Sequence, residues 1–133
     1  MKYIMLLVFY TIIIAACEKT NMASSAFSPG TYVGTFQRQV LPESPVAAVT
    51  LRFSGNTWSG EANMIKYPAL CNGTFKQSGN KISFDNECPW TAEFDWTLIL
   101  SGNYEIKQKG DSLQIIKDYN GFFKDVYMLK KAE

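Results

Sequence analysis

The chain of 133 residues contains no histidine. That removes the commonest general base near neutral pH and the commonest metal ligand. Charge is sparse and balanced, with 13 basic and 12 acidic side chains and a net charge of +1. There is no basic stripe, so nucleic-acid binding has no electrostatic footing. Cysteine is rare, with three in all. No apolar run reaches the roughly 20 residues that a membrane-spanning helix needs. What the chain does have is aromatic residues, at 14%, within an ordinary globular hydrophobic content of 47%.

Met1 and Lys2 give a positive start, and residues 3–16 are almost wholly apolar. The length and flanks of that stretch are those of a secretory signal. Its end, Ile14-Ala15-Ala16-Cys17, resembles the bacterial lipobox: an aliphatic residue, two small ones, then cysteine. The resemblance implies that lipid joins the Cys17 sulfur, that the chain is cut just before it, and that the new amine is acylated. Residues 1–16 are then a lipoprotein signal peptide that is removed. Residues 17–28 are a lipidated tether, because "EKTNMASSAFS" is small, polar and without a period. A flexible segment of that length spans roughly 18 Å. Several acyl chains, at about 0.8 kcal/mol per buried CH₂, make such an anchor effectively permanent. The implied location is the cell envelope, anchored to the membrane, with the outer membrane expected.

Using Cys17 for lipid leaves Cys71 and Cys88. Export places them in an oxidising compartment, where an even pair bridges. Such a bridge adds roughly 3 kcal/mol in the chain-entropy description. Two thiols without histidine do not complete a zinc site. There is no C-x-x-C spacing for a redox pair.

From Pro29 to Glu133 the chain reads as one all-β domain, residues 29–133. "SGN" recurs at 54–56, 78–80 and 101–103, and "KGD" stands at 109–111. Gly followed by Asn or Asp between alternating runs is a hairpin signal. The runs between them alternate with period two. They place Tyr32, Gly34 and Phe36 on one face, then Val49, Leu51 and Phe53, then Trp58, Gly60, Ala62 and Met64. Phe75, Ile82 with Phe84, Tyr104 with Ile106, and Leu113 with Ile115 continue the pattern. "DVYMLK" is apolar on both faces and does not declare one. The expected architecture is a small up-and-down antiparallel barrel of about eight strands, closed so that no edge is exposed.

Numbering the strands gives the barrel two unlike ends. Tight turns at 55–56, 79–80 and 110–111 fall at one end. Longer connections at 39–45, 65–72, 87–102 and 119–125 fall at the other, and both Cys71 and Cys88 lie there. Within 89–101, "CPWTAEFDWTLILSGN" allows two readings. One is a lid with a short helix, with Trp90 and Phe94 four apart. The other is a ninth strand over "FDWTLIL". We take the lid.

Two resemblances follow from these residues. "GTY" at 30–32, opening the first strand of a meander barrel, resembles the Gly-x-Trp opening of lipocalins, with Tyr32 in place of Trp. The arginine that lipocalins carry near the last strand has no counterpart here. The layout after Pro29 is similar to lipocalin-like domains of small bacterial lipoproteins. "CNGTF", "GNKISF", "CP" and "YEIKQKGDSLQI", over 71–116, resemble META/HslJ-type lipoproteins, although "FDNECP" lacks that family's Thr-x-x-Cys. The first resemblance implies binding of a small apolar ligand or a protein partner. The second implies an envelope role without defined chemistry.

No catalytic set is expected, since no serine or cysteine here can have a histidine base. Carboxylates such as Asp85, Glu87, Glu93 and Asp95 read as a solvated rim. No cofactor and no metal is implied. The long-loop rim gathers the candidate binding residues Tyr67, Trp90, Phe94, Trp96, Tyr119, Phe122 and Phe123, the side chains that recognition surfaces use. The same aromatics would also serve to plug the barrel. The expectation is a non-catalytic, monomeric, membrane-anchored protein that binds a small apolar ligand or an envelope partner at this rim. An inhibitor of lysozyme or of a protease, or a structural lipoprotein without a ligand, is the alternative.

Overall fold

Strand alternation becomes geometry in the computed structural model, which describes residues 27–40, 43–91 and 93–133. Eight strands follow in order: β1 Gly30–Gln39, β2 Val46–Ser54, β3 Thr57–Ala62, β4 Asn72–Ser78, β5 Lys81–Asn86, β6 Gly102–Lys109, β7 Ser112–Asp118 and β8 Lys124–Lys131. Each pairs antiparallel with its sequence neighbour, and β1 pairs with β8, so the barrel closes. The expected all-β, up-and-down eight-stranded barrel is therefore the fold.

Gly55, Gly79 and Gly110 sit in the three tight turns with φ of 59°, 60° and 57°. That is the left-handed region which glycine enters without penalty. The third "SGN" is not a turn. Gly102 opens β6 directly, at the end of the long β5–β6 connection.

The interior is filled by the side chains that the alternation points inward. Tyr32, Phe36, Leu51, Trp58, Phe84, Leu113, Ile115 and Tyr127 are all buried. Ring contacts cross the barrel from Phe53 to Phe84, Tyr104, Tyr127 and Phe36, with centroids 4.8–6.4 Å apart. In β8, whose pattern is ambiguous in sequence, Asp125, Tyr127 and Leu129 point in and Met128 and Lys130 point out. Gly34 and Gly73 lie where the backbone of the adjoining strand presses close. A Cβ at either would run into a carbonyl oxygen, that of Met128 or Asp85.

The tight-turn end has an apolar stopper. Phe27 is buried, 4.7 Å from the Phe53 ring and stacked at 5.7 Å on Phe75. Its N–H donates to Gln77 Oε1 at 3.3 Å. The Tyr32 hydroxyl donates to the Ser28 carbonyl at 2.7 Å, and Lys131 Nζ donates to Ser28 Oγ at 2.8 Å. Phe27 and Ser28, assigned to the tether by sequence, thus belong to the barrel. A ring next to an open barrel end buries itself there whatever the polarity of its neighbours. Cys17, the signal segment and the rest of the tether lie outside the described residues.

Candidate functional site

The four longer connections converge at the opposite end. Cys71 and Cys88 form the expected disulfide, with Cα atoms 6.3 Å apart, and it joins the β3–β4 loop to the β5–β6 loop. The same two loops share a short parallel bridge between Ala69 and Ile99. The Ala69 N–H donates to the Leu98 carbonyl at 3.0 Å, and the Leu100 N–H donates to the Ala69 carbonyl at 3.2 Å. Leu100 is fully buried, and Leu98, Leu70 and Tyr67 pack on the core beneath it. The β5–β6 connection is therefore a lid and not a ninth strand.

The helical part of the lid is one 3₁₀ turn, Trp96–Leu98, and it starts later than the sequence suggests. Asp95 caps it, its carboxylate accepting the Thr97 N–H at 2.9 Å. Trp90 and Phe94 touch, with ring centroids 5.8 Å apart, but in extended and bent chain ahead of that turn. Their contact needs no helix, and the cap at Asp95 fixes where the helical turn begins.

Beneath the lid lies a buried charge cluster that the sequence reading passed over. Arg38 of β1 and Asp125 of β8 are 7% and 1% exposed and face each other across the closing seam of the barrel. Arg38 Nε and Nη2 donate to the two Asp125 oxygens, both at 2.7 Å, in the bidentate fork that suits guanidinium and carboxylate. Arg38 Nη1 donates to Asp95 Oδ2 at 2.6 Å and to Thr97 Oγ1 at 3.0 Å, reaching into the lid. The Tyr119 hydroxyl lies 3.1 Å from both Asp125 Oδ2 and the Thr97 carbonyl. The guanidinium carbon is 4.6 Å from the Phe123 ring centroid and 5.5 Å from that of Tyr119.

The electrostatics follow from this geometry. Burial works against the charge on Arg38, but its bonds to Asp125 and the charges of Asp125 and Asp95 outweigh that and hold the guanidinium firmly protonated. Hydrogen bonding from Thr97, against a smaller cost of burial, together with the Arg38 charge keeps the Asp95 carboxyl below its ordinary range. Burial and the Asp125 charge push the Tyr119 phenol up to about 12. Lys117 Nζ donates to the Ser101 carbonyl at 3.1 Å and sits 5.1 Å and 5.2 Å from the Tyr104 and Tyr119 rings. Burial lowers its pKa, Asp125 opposes the drop and Arg38 adds to it.

The seven candidate rim aromatics divide into three groups. Tyr67, Tyr119 and Phe123 are half-buried and pack into the closure. Tyr67 packs 5.1 Å from Phe36, accepts the Arg38 N–H at 3.1 Å and donates to the Pro45 carbonyl at 2.9 Å. Tyr119 and Phe123 stack on each other at 4.3 Å beside Arg38. Trp90 and Phe94 are half-buried, with Lys66 Nζ 4.7 Å above the Phe94 ring. Trp96, 56% exposed, and Phe122, 83% exposed, face solvent. Phe122 rides on a tight turn in which Asn120 and Gly121 have φ of 55° and 80°.

A pocket of about 510 Å³ opens beside the lid, lined by Trp90, Trp96, Pro89, Ile99, Asn86 and Ser101. That volume falls in the range of about 300–1,000 Å³ usual for small-molecule sites. None of these six carries a charge. Among the described residues, the buried Trp90 Nε1 and Asn86 Oδ1 have no hydrogen-bond partner. The arrangement can hold a neutral, mostly apolar group. In the neighbouring cluster Arg38 is paired with Asp125 and Asp95.

Arg38 and Asp125 had a signal in the sequence. Extending the alternation of Tyr32, Gly34 and Phe36 by one step puts Arg38 inside the barrel. Reading Tyr127 and Leu129 as inward does the same for Asp125. No protein-family model, curated protein or solved structure matches this chain.

Proposed function

We propose that this protein is a non-catalytic, lipid-anchored envelope lipoprotein whose barrel is a rigid stand for a recognition rim, and that the rim binds a protein partner. The observation that carries this reading is Phe122. A large apolar side chain is held almost fully in water at the apex of a tight turn, beside a lid tied down by a disulfide and an ion cluster. Exposed aromatics on preorganised loops serve as anchors for a partner's pocket, because little ordering entropy remains to be lost on binding. Trp96, stacked on Phe94 at 5.8 Å, extends the same apolar rim, and the bond of the Tyr119 hydroxyl to the Thr97 carbonyl joins the two loops.

The filled interior turns the reading away from a ligand held in the barrel lumen. The pocket beside Trp90 and Trp96 supports a second reading, a small apolar ligand bound at the rim. The lipid anchor is supported by the lipobox-like Ile14-Ala15-Ala16-Cys17.

The test is a photo-crosslinking residue placed at position 122 in the cell, compared with one at Lys76 on the barrel wall. A discrete adduct at 122, absent at 76 and lost in Trp96→Ser, is expected. Equal adducts at both positions would overturn the rim reading. Fluorescence of Trp90 and Trp96 quenched by an apolar probe, with no adduct at 122, would favour the small-ligand reading. Metabolic labelling with a fatty acid tests the anchor, which Cys17→Ser should abolish.

A further inference from the structure

Away from the rim, the outer wall formed by β6, β7, β8 and β1 carries a groove of about 510 Å³. The strand register places its residues in two adjacent rows. Lys109, Ser112, Lys130 and Val33 face one another across the four strands, and beside them lie Lys107, Gln114 and Met128. Val33 and Met128 are apolar side chains 44% and 48% exposed, with three lysines around them. Lys107, Lys109 and Lys130 make no ion pair among the described residues. Their acidic neighbours are Glu105, one outward position further along β6, and Asp111 in the β6–β7 turn. Neither lines the groove.

We propose that this wall docks on the anionic phospholipid headgroups of the membrane that holds the anchor. The inference rests on the reading of the chain as lipid-anchored, and three observations carry it. The charge is complementary, because the groove offers three unpaired ammonium groups to phosphates. The apolar floor suits the glycerol and upper acyl region just below the phosphates, where amphipathic surfaces settle.

The third observation is position. The described chain begins at Phe27 on the tight-turn end, and the row of Lys109, Lys130 and Val33 lies next to that end. Residues 18–26 separate Phe27 from Cys17, and nine residues of random-coil chain span roughly 17 Å on average. A domain held that close keeps its lysines near the Debye length of about 8–10 Å, within which headgroup charge is felt. Docking on this wall tips the barrel onto its side, so the rim looks along the membrane surface.

The experiment uses the chain from residue 18 onward, without acyl groups. Every strand lies within Gly30–Lys131, so this chain keeps the whole barrel. It is sedimented with vesicles of phosphatidylcholine alone or with a third of phosphatidylglycerol, at low and high salt. Binding to the anionic vesicles only, weakened by salt, is expected. The triple variant Lys107→Gln, Lys109→Gln, Lys130→Gln should lose at least tenfold of it, since each lysine near such a surface contributes about fivefold. Lys76→Gln, Lys81→Gln, Lys124→Gln removes the same charge from elsewhere on the barrel and should change binding less than twofold.

Equal loss in the two triple variants would reduce the effect to net charge and overturn the proposal. So would equal binding to neutral vesicles, or none at all. Unchanged thermal melting of each variant keeps loss of binding separate from loss of fold. Because no lipid is attached in this experiment, its failure leaves the anchor itself to be judged by labelling at Cys17.

Discussion

At the tight-turn end the barrel is stopped by one ring, Phe27, resting on Phe53 and Phe75. At the long-loop end it is stopped by Arg38, Asp125, Asp95, Thr97 and Tyr119 together with a disulfide. The contrast follows from the connections. A two-residue hairpin satisfies its own backbone groups and needs only an apolar cover. Connections as long as 87–101 bring many backbone groups and much chain entropy, and something directional must choose one arrangement for them. An apolar plug is indifferent to orientation. A forked Arg–Asp pair with a third and fourth partner accepts only one, and here it ties β1, β8, the lid and the β7–β8 loop to a single point.

The sharpest way to break this contrast is Arg38→Met. Asp125 would then be a buried carboxylate without its countercharge, and a loss of about 3–5 kcal/mol in urea unfolding is expected. Arg38→Met combined with Asp125→Leu should recover much of that loss, since two apolar groups leave no charge to compensate. Failure of the double variant to recover would mean that the pair also sets the geometry of the lid. Next comes reduction of Cys71–Cys88, or Cys71→Ala with Cys88→Ala, with a loss of about 3 kcal/mol by thermal melting with and without reductant. At the other end, Phe27→Ala should cost about 2–3 kcal/mol, below the usual cost for a central phenylalanine because the ring sits at the mouth of the barrel and not at its centre.

A smaller effect should appear in alkali. The Tyr119 phenol has a folded pKa raised from 10.0 to about 12, so its contribution is complete below pH 10 and is lost as pH rises toward 12. Tyr104 and Tyr127, deeper in the barrel, are shifted in the same direction by burial. Tyr119→Phe should lower stability at neutral pH by about 1 kcal/mol and flatten the alkaline limb of a stability–pH curve. Smallest of all, Trp96→Ser with Phe122→Ser should leave stability within about 0.5 kcal/mol, because neither side chain supports the closure. A large loss there would place these residues in the plug and not on the recognition surface.

The barrel was legible because its inward residues are large and its turns carry glycine. Period two with Gly-Asn and Gly-Asp punctuation defined the strand order, and the strand order in turn put Cys71 and Cys88 on the same rim. The rim was less legible. Tyr119, Phe122 and Phe123 are neighbours in sequence and equally aromatic, yet two stack beside Arg38 and one projects into water. Nothing in their composition separates these fates, because the turn at Asn120 and Gly121 decides them. The charge cluster was missed for a different reason. An arginine and an aspartate at strand ends read as solvated positions by residue type, and only the alternation carried past the last apolar residue, Phe36 in β1, places them inside.

Closure of β1 on β8 also has a consequence in time. The seam joins the first strand of the barrel to the last, so it waits for almost the entire domain to emerge, and contacts this distant in sequence make for slow folding. Until β8 arrives, Arg38 has no Asp125 and β1 has a bare edge. A chain emerging vectorially therefore completes its seam and its ionic plug in a single late step. Its long-loop rim takes final shape only after the rest of the barrel exists.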